Sequence, residues 1–482
     1  MKLFAKGLFL LVGLGVSLGQ AQAQTATTHN FQHVVVIFQE NRTPDNLFQG
    51  LCTSPGKCST TPTASQYNIQ TANWLDKTAP GPQHVIQPGT VKLANVYDLS
   101  HAHKAWVAQC DLDATTGDCR MDGAAGVGCS GTCPAHPQFK FVDNSTGILD
   151  PYLTLATSYG WANFMFQTNQ GPSFPAHQYI FGATSAPSAP EDANGTYASE
   201  NISGAGTGAG CVATDTRLVQ LIDFTGTEDP NNQIYPCFEH QTVGDVLDNI
   251  NVSWRYYAPG PGSIWTGPNA ILHICEPVNG KCTGPDWVNN VDVTNPADFL
   301  TDVSNPACNF RQVNWIIPTA ANSDHARSNN GGGPAWVASL VNAIGASKCK
   351  NPDGSSYWDT TAIFITWDDW GGWYDHEVPK ILAAPFGGYQ LGFRVPMIVV
   401  SAFTPAGQIN NNHHDFGSII RFIEQNYGVA EGFLNFGDQR SKTDLTGFFP
   451  LQTPRPFTPI PGAASTASLL ALPVVGPDDD DD

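Results

Sequence analysis

Basic residues are scarce in this chain of 482 residues. Lysine and arginine together number 22 against 42 aspartates and glutamates, so the formal net charge is −20 at pH 7. A surface with that charge repels the phosphates of nucleic acids and the head groups of anionic lipids. The composition therefore argues against nucleic-acid binding and against an enzyme held on anionic membranes by charge. Small anionic substrates stay compatible with it, because a bound metal ion sets its own local field.

Long apolar runs are missing beyond the N-terminus. No later stretch approaches the ~20 apolar residues that a membrane-spanning helix needs, so we expect no stable membrane anchor. The N-terminus has lysines at positions 2 and 6, an apolar run at 8–18 and Ala21-Gln22-Ala23, which is the pattern of a secretory signal peptide. We therefore predict that residues 1–23 are removed and that the mature protein, with a net charge of −22 after loss of the two lysines, is secreted or periplasmic.

Cysteine is abundant, and all 12 residues follow the predicted signal peptide. An even number of cysteines in an exported protein predicts disulfides. Sequence neighbours suggest four pairs, namely Cys52–Cys58, Cys110–Cys119, Cys129–Cys133 and Cys275–Cys282. Pairing Cys211 with Cys237 and Cys308 with Cys349 would use the remaining four cysteines, and we take this connectivity as a hypothesis. The alternative is a zinc cluster formed by Cys110, Cys119, Cys129 and Cys133, but their spacings are irregular for such a site.

Strand-like and helix-like segments alternate along the chain. The apolar patterns predict strands at 33–38, 253–258, 313–318, 361–366 and 395–402, and helices at 148–157, 242–250, 335–346 and 417–427. Such alternation is typical of an α/β protein with a mainly parallel central sheet. We expect one domain over residues 24–450, with long loops, followed by a Pro/Ala-rich, loosely packed tail over 451–482 with an acidic end.

Oxygen-bearing side chains follow two of the predicted strands directly. Glu40 and Asn41 come after the first strand, and Asp368 and Asp369 come after the strand at 361–366. Sites in α/β proteins form at the carboxyl ends of strands. Carboxylate and amide oxygens suit a hard or borderline divalent cation, so these four residues are candidate metal ligands. The alternative is that they are acidic loop residues that only face solvent.

Ser173 is a candidate nucleophile. It stands between Pro172 and Pro175 after a glycine, which predicts a sharp, rigid turn that holds one hydroxyl in place. A metal ion that binds a hydroxyl makes it nucleophilic by drawing off its proton. The alternative is an ordinary turn residue. Several histidines are candidates to bind phosphate oxygens or protonate a leaving group; they include His101, its neighbour His103, His273 and His325.

These motifs, taken in order, resemble the bacterial phosphoesterase family that includes phosphatidylcholine-type phospholipases C and respiratory-burst-inhibiting acid phosphatases. The resemblance extends over most of the mature chain. Its segments lie at 33–48, 98–101, 121–123, 171–175, 253–257, 313–325, 368–376, 394–397 and 418–424.

The resemblance implies an alkaline-phosphatase-like α/β/α sandwich with long, disulfide-stapled loops. It implies one divalent metal ion, either Ca, Mg, Mn or Zn, surrounded by Glu40, Asn41, Ser173, Asp368 and Asp369. Ser173 is then the nucleophile of a phosphoseryl mechanism. The substrate phosphate would be bound by Asn41 and by three histidines, which are His101, His273 and His325. The same three histidines would assist catalysis.

The family resemblance implies a hydrolase that acts on a small phosphate ester or a phospholipid head group. The serine nucleophile and the paired aspartates favour the acid phosphatase type. We expect a pH optimum on the acid-to-neutral side, because the histidines of the site would act as proton donors. The main alternative is a phospholipase C that cleaves phosphatidylcholine-like lipids. A sulfatase is a weaker alternative because His177 stands where that motif needs arginine, and a catalytically inactive binding protein on the same fold is a remote one.

Overall fold

The computed structural model describes residues 30–382, 389–430, 432–441 and 443–477. The predicted signal peptide and the acidic run at 478–482 lie outside the described residues.

The core is an eight-stranded sheet. In chain order its strands are β1 (His33–Gln39), β2 (Gly160–Phe166), β3 (Trp254–Tyr257), β4 (Val291–Asp292), β5 (Val313–Ile316), β6 (Thr361–Trp367), β7 (Met397–Ser401) and β8 (Gln408–Asp415). Their order across the sheet is β4-β3-β5-β1-β6-β7-β2-β8. Strands β1 and β6 lie in the middle and are buried along their whole length, as their runs of Val, Ile and Phe predict.

The sheet is mainly parallel, which confirms the prediction from the alternating pattern. β1 pairs in parallel with both β5 and β6, β3 with β5 and with β4, and β2 with β8. Only β7 runs against its neighbours within this sheet, pairing antiparallel with β6 and β2. The five predicted strands are all present. β2, β4 and β8 were not predicted.

Six helices of seven or more residues occur in the described part of the chain. They are α1 (His103–Cys110), α2 (Asp150–Ser158), α3 (Ser173–Gly182), α4 (Val243–Asn249), α5 (Gly333–Gly345) and α6 (Phe416–Asn426). Shorter ones are Pro44–Leu47, Ala189–Asn194, Leu272–Cys275, Pro285–Asn290, Asp298–Asp302, Asn435–Arg440 and Thr466–Leu470. The four predicted helices correspond to α2, α4, α5 and α6. Thr242, the predicted start of α4, is its N-cap and forms a capping box with Asp245.

Helices cover both faces of the sheet. On one face Phe364 of β6 contacts Phe422 of α6, with ring centroids 5.0 Å apart. On the other face Trp367 of the same strand contacts Tyr152 of α2, at 5.2 Å. Because side chains alternate along a strand, these contacts place α6 and α2 on opposite sides. The structure is therefore the α/β/α sandwich that the sequence predicted.

The loops carry small sheets of their own. One has three strands, Tyr197–Ala198, Val219–Ile222 and Glu228–Ile234. The two-stranded ones pair Trp74–Leu75 with Val85–Ile86, Gly89–Val91 with Lys140–Val142, Tyr97–Leu99 with Cys129–Gly131, and Pro277–Val278 with Lys281–Cys282.

Six disulfides staple these loops, and all six predicted pairs are confirmed. The zinc cluster considered for Cys110, Cys119, Cys129 and Cys133 is wrong, because these four residues are bonded in two pairs. No helix in the described ranges combines the length and apolar character needed to cross a bilayer.

The C-terminal segment is mostly exposed, but it is attached to the body at defined points. The amide of Arg455 donates to Ala402 O at 2.9 Å, and its guanidinium donates to Ser158 O at 2.8 Å. The amide of Ile460 donates to the Asn342 side chain on α5 at 2.8 Å. These hydrogen bonds join the segment to the loop after β7, to α2 and to α5.

Candidate active site

The two pairs of residues predicted as metal ligands follow adjacent strands at the same edge of the sheet. β1 and β6 are parallel, and their last residues, Gln39 and Trp367, are in register. Glu40, Asn41, Asp368 and Asp369 follow directly, and all four are fully buried. The amide of Asn41 donates to Asp368 Oδ1 at 2.8 Å, so the two strand ends are also joined by a hydrogen bond.

Three oxygens of this cluster have no hydrogen-bond partner although they are buried. They are Glu40 Oε2, Asn41 Oδ1 and Asp368 Oδ2. Burial and the neighbouring Asp368 raise the pKa of Glu40 well above its usual range, and the same two causes raise the pKa of Asp369. Buried carboxylates that crowd together in this way are stabilised by a divalent cation, and the donor set fits one.

The neighbouring imidazole of His101 orients the Asn41 amide. His101 Nδ1 lies 3.0 Å from Leu99 O, and since a carbonyl only accepts, Nδ1 carries the proton. In the neutral ring, Nε2 is then an acceptor, and the Asn41 Nδ2 group donates to it at 3.2 Å. The amide oxygen Asn41 Oδ1 therefore points away from His101 and is available to a cation.

Ser173 is the first residue of α3, and Pro172 is the N-cap of that helix. The Gly-Pro-Ser sequence thus starts a helix as well as making the predicted turn. Ser173 is 1% exposed, and its hydroxyl oxygen lies 3.5 Å from Asp369 Oδ2. Ser173 follows β2, and β7 separates β2 from β6 in the sheet. The structure therefore brings the candidate nucleophile across β7 to the carboxylate cluster.

His325 also lies at this edge, in the segment after β5. Its Nδ1–H donates to Ala326 O at 2.7 Å, and its ring centroid is 5.6 Å from that of His101. His325 is close enough to Asp369 to lower the pKa of that carboxyl, although burial and Asp368 raise it by more. Two of the three predicted histidines are thus brought together beside the cluster. His103, the neighbour of His101, instead lies 3.0 Å from Gln170 O.

His273 has different surroundings. It lies on the short helix Leu272–Cys275, its side chain is 32% exposed, and its Nδ1 and Nε2 atoms lie 2.8 Å from Glu239 and 3.0 Å from Asp245. Hydrogen bonding to Asp245 raises the pKa of His273 to about 9. These contacts connect His273 to the cap of α4 and not to the carboxylate cluster.

His177 was not predicted as a site residue, yet it belongs to the cluster. It is fully buried on α3, with Nε2 3.2 Å from Glu40 Oε1. Burial lowers the pKa of His177 to about 4, so the imidazole is neutral. The sequence did hold a signal, because Ser173 and His177 are four residues apart and share one helix face.

A second buried acidic group lies nearby but has its own counter-charges. Asp375 accepts from Arg394 Nε at 3.0 Å and from Arg394 Nη2 at 2.9 Å, and Asp45 Oδ2 lies 2.7 Å from His376 Nδ1. Two cationic side chains thus compensate two carboxylates. This network closes the loop after Asp369 against the segment after β1, and it needs no metal ion.

The fold and the first cluster define a class, namely α/β/α proteins with a buried serine beside a set of candidate metal ligands. The chain belongs to the Phosphoesterase family, whose model matches residues 31–430. This match confirms the resemblance drawn from the ordered motifs.

Curated relatives are distant in sequence. The chain is 24% identical to non-hemolytic phospholipase C of Pseudomonas aeruginosa over 278 residues, which cover 51% of this chain and 38% of that protein. It is 23% identical to hemolytic phospholipase C of the same species over 474 residues, which cover 89% of this chain and 57% of the relative. The chain thus spans less than two thirds of either relative.

A solved protein of the alkaline phosphatase superfamily from Vibrio parahaemolyticus aligns at a TM-score of 0.31 and 11% identity, covering 58% of this chain and 61% of the other.

Proposed function

We propose that this protein is an exported, metal-dependent hydrolase of phosphoric esters with Ser173 as its nucleophile. The observation that carries the proposal is the position of the Ser173 hydroxyl, 3.5 Å from Asp369 Oδ2, beside buried oxygens of Glu40, Asn41 and Asp368 that lack hydrogen-bond partners. A hydroxyl in that position is next to the donor set for a divalent cation.

Each residue of the cluster then has a distinct task. Glu40, Asn41, Asp368 and Asp369 would hold the cation, which when bound would supply Lewis-acid stabilisation of phosphate oxygens and lower the pKa of the serine hydroxyl. Ser173 Oγ attacks phosphorus as the ester oxygen leaves, and water later cleaves the phosphoseryl ester. The rigid helix start at Pro172 keeps the hydroxyl in line for attack.

The two histidines at the cluster serve the phosphoryl group. His101 and His325 both use Nδ1 to donate to backbone carbonyls, which fixes their rings and directs each Nε2 atom away from those carbonyls. A protonated Nε2 of His325 would donate to the leaving alkoxide. His101 holds the Asn41 amide, and together they orient the phosphate.

We favour a small phosphate monoester as substrate over a lipid diester. The described site is closed, since Ser173 is 1% exposed and the carboxylates are fully buried. A small ester needs less opening than a lipid to reach such a serine. The relatives named phospholipase C support the alternative, which is cleavage of the phosphodiester in phosphatidylcholine-like lipids.

The test compares hydrolysis of p-nitrophenyl phosphate, p-nitrophenyl phosphorylcholine and phosphatidylcholine by the wild type, with and without chelator. We expect Ser173→Ala to abolish turnover while circular dichroism and thermal unfolding stay native-like. Ser339→Ala is the matched control, because Ser339 is also a buried helical serine but donates to Ala335 O on α5. Undiminished activity of Ser173→Ala, or full activity in excess chelator, would refute the proposal.

A further inference from the structure

His177 and Ser173 project from the same face of α3 toward the carboxylate cluster. His177 Nε2 lies 3.2 Å from Glu40 Oε1. One ligand atom each of Glu40, His177 and Asp368 can be chosen so that all three lie within 4.8 Å of one another, and all three side chains are buried. That spacing is compatible with a shared cation, whose bonds to nitrogen and oxygen are about 2.0–2.2 Å long.

The hydrogen bond to Tyr256 decides which ring nitrogen of His177 carries the proton. Tyr256 Oη lies 3.2 Å from Trp265 O, and because a carbonyl only accepts, the phenolic proton is used there. His177 Nδ1 is 3.4 Å from the same hydroxyl, so Nδ1–H donates to it. The amide of Gly267 donates to the hydroxyl as well, at 3.4 Å. Nε2 therefore carries the ring's lone pair on the side of Glu40.

A lone pair and a carboxylate oxygen that face each other at 3.2 Å repel unless a proton or a cation lies between them. The same carboxylate has a second buried oxygen without a partner, and so does Asp368. Both are the donors expected to hold the cation. The hydroxyl of Tyr256 holds the imidazole as the outer partner of a metal-bound histidine does, by accepting from its second nitrogen.

We propose that His177 Nε2 is a ligand of the cation at this site, so that the ligand set contains nitrogen in addition to oxygen. The inference rests on the proposed metal site and adds a selectivity to it. Imidazole suits zinc and other transition metals, whereas calcium and magnesium prefer oxygen ligands. We therefore expect the protein to prefer Zn²⁺ over Ca²⁺ and Mg²⁺, although the residues after the strands, taken alone, offer only oxygen.

The experiment uses the full mature chain, freed of metal and reloaded with Mn²⁺. Pulsed electron paramagnetic resonance detects a directly bound ¹⁴N nucleus as modulation of the electron spin echo. We expect this modulation in the wild type, its loss in His177→Gln, and its retention in His325→Gln, which removes another buried imidazole beside the cluster. In competition titrations the Zn²⁺/Ca²⁺ affinity ratio should fall about 100-fold or more in His177→Gln, since even outer-shell partners are worth about 10–100-fold.

Tyr256→Phe provides a second variant that keeps the imidazole and removes only its outer partner. It should retain the ¹⁴N modulation and bind Zn²⁺ about 10–100-fold more weakly. The inference is overturned if the wild type shows no nitrogen modulation, or if His177→Gln keeps both the modulation and the Zn²⁺/Ca²⁺ ratio. Turnover that depends on Ser173 without nitrogen at the metal would defeat the inference and leave the proposed function intact. A nitrogen ligand at the metal in a protein that hydrolyses no ester would support the inference and refute the proposed function.

Discussion

Gly371 lies directly against the backbone of Asn41, a residue of the carboxylate cluster. A Cβ atom on Gly371 would lie 2.3 Å from Asn41 O, closer than any side chain tolerates. Both residues are in the left-handed region, with φ values of 62° and 61°. The amide of Gly371 also donates to Asp369 Oδ1 at 2.6 Å. The loop after β6 therefore orients two of the candidate ligands through a contact that only glycine permits.

Gly371→Ala should displace the loop and weaken the site. We expect the variant to lose metal affinity and ester hydrolysis, and to lose about 1–3 kcal/mol of unfolding free energy from backbone strain, with the clash adding to that loss. Gly354→Ala is the matched control, because Gly354 also has a positive φ, 86°, but a Cβ atom added there would meet no other atom within 4 Å. Urea unfolding and metal titration measure both effects. Equal losses in the two variants would show that the contact with Asn41 is unimportant.

His376 should make a contribution to the stability of the protein that depends on pH. Burial lowers the pKa of His376, but the carboxylate of Asp45 more than offsets this, and the net pKa is raised. Asn68 donates through its amide nitrogen to Glu377, so its oxygen accepts from His376 Nε2 at 2.9 Å, while Nδ1 donates to Asp45. Both ring nitrogens carry protons, so the folded state holds an imidazolium.

Because the folded pKa of His376 lies above its unfolded value of about 6.5, this group stabilises the fold fully below that pH. The contribution is lost as the pH rises through the folded pKa. We expect the unfolding free energy of the wild type to decline over that range and the decline to be smaller in His376→Gln. His136→Gln, at an exposed histidine, should keep the wild-type slope. If the stability of His376→Gln declined with pH as steeply as that of the wild type, folding would not raise the pKa of His376.

The two histidines His273 and His101 should differ sharply in their effect on catalysis. His273 is paired with Glu239 and Asp245 at a partly exposed position, whereas His101 is fully buried and bonded to Asn41. We expect His273→Gln to keep kcat/KM within about twofold and to lower stability by about 0–1 kcal/mol, as a surface pair allows. His101→Gln should lower kcat/KM about 100-fold, typical for loss of an orienting or acid–base group. A comparable loss in His273→Gln would return it to the substrate-facing set that the family resemblance implies.

The sequence revealed those parts of the fold and site whose signals are local. Runs such as Val34 to Phe38 are apolar on both faces, so the central strands and the residues just after them were predictable. β8 was not, since its sequence is polar and it lies at the sheet edge, where pairing with β2 and not its own composition makes it a strand. His177 was missed for a related reason. Its partner Glu40 is 137 positions away in the chain, and only the packing of α3 on the sheet brings the two together.

Glu40 should make a contribution to the stability of the metal-free protein that falls as the pH rises, and a bound cation should reverse this. Burial and Asp368 raise the folded pKa of Glu40, so the folded apo form binds a proton that the unfolded chain releases above about pH 4.3. This contribution of Glu40 therefore falls from that pH upward until the folded pKa of Glu40 is passed. We expect Zn²⁺ to bind only the deprotonated cluster and, at 100 times its Kd, to restore about 2.7 kcal/mol.

Thermal unfolding from about pH 5 to 8, with Zn²⁺ or with chelator, measures both slopes in one series. In chelator, the stability of Glu40→Gln should fall less with rising pH than that of the wild type, because the substitution removes the buried titrating carboxyl. It should also abolish most of the Zn²⁺-dependent gain. Asp353→Asn is the control, since Asp353 is an exposed carboxylate whose pKa is lowered by hydrogen bonds from Ser355. A Zn²⁺ gain that survives in Glu40→Gln would place the cation elsewhere, because the neutral amide lacks the charge with which Glu40 would draw the ion into the cluster.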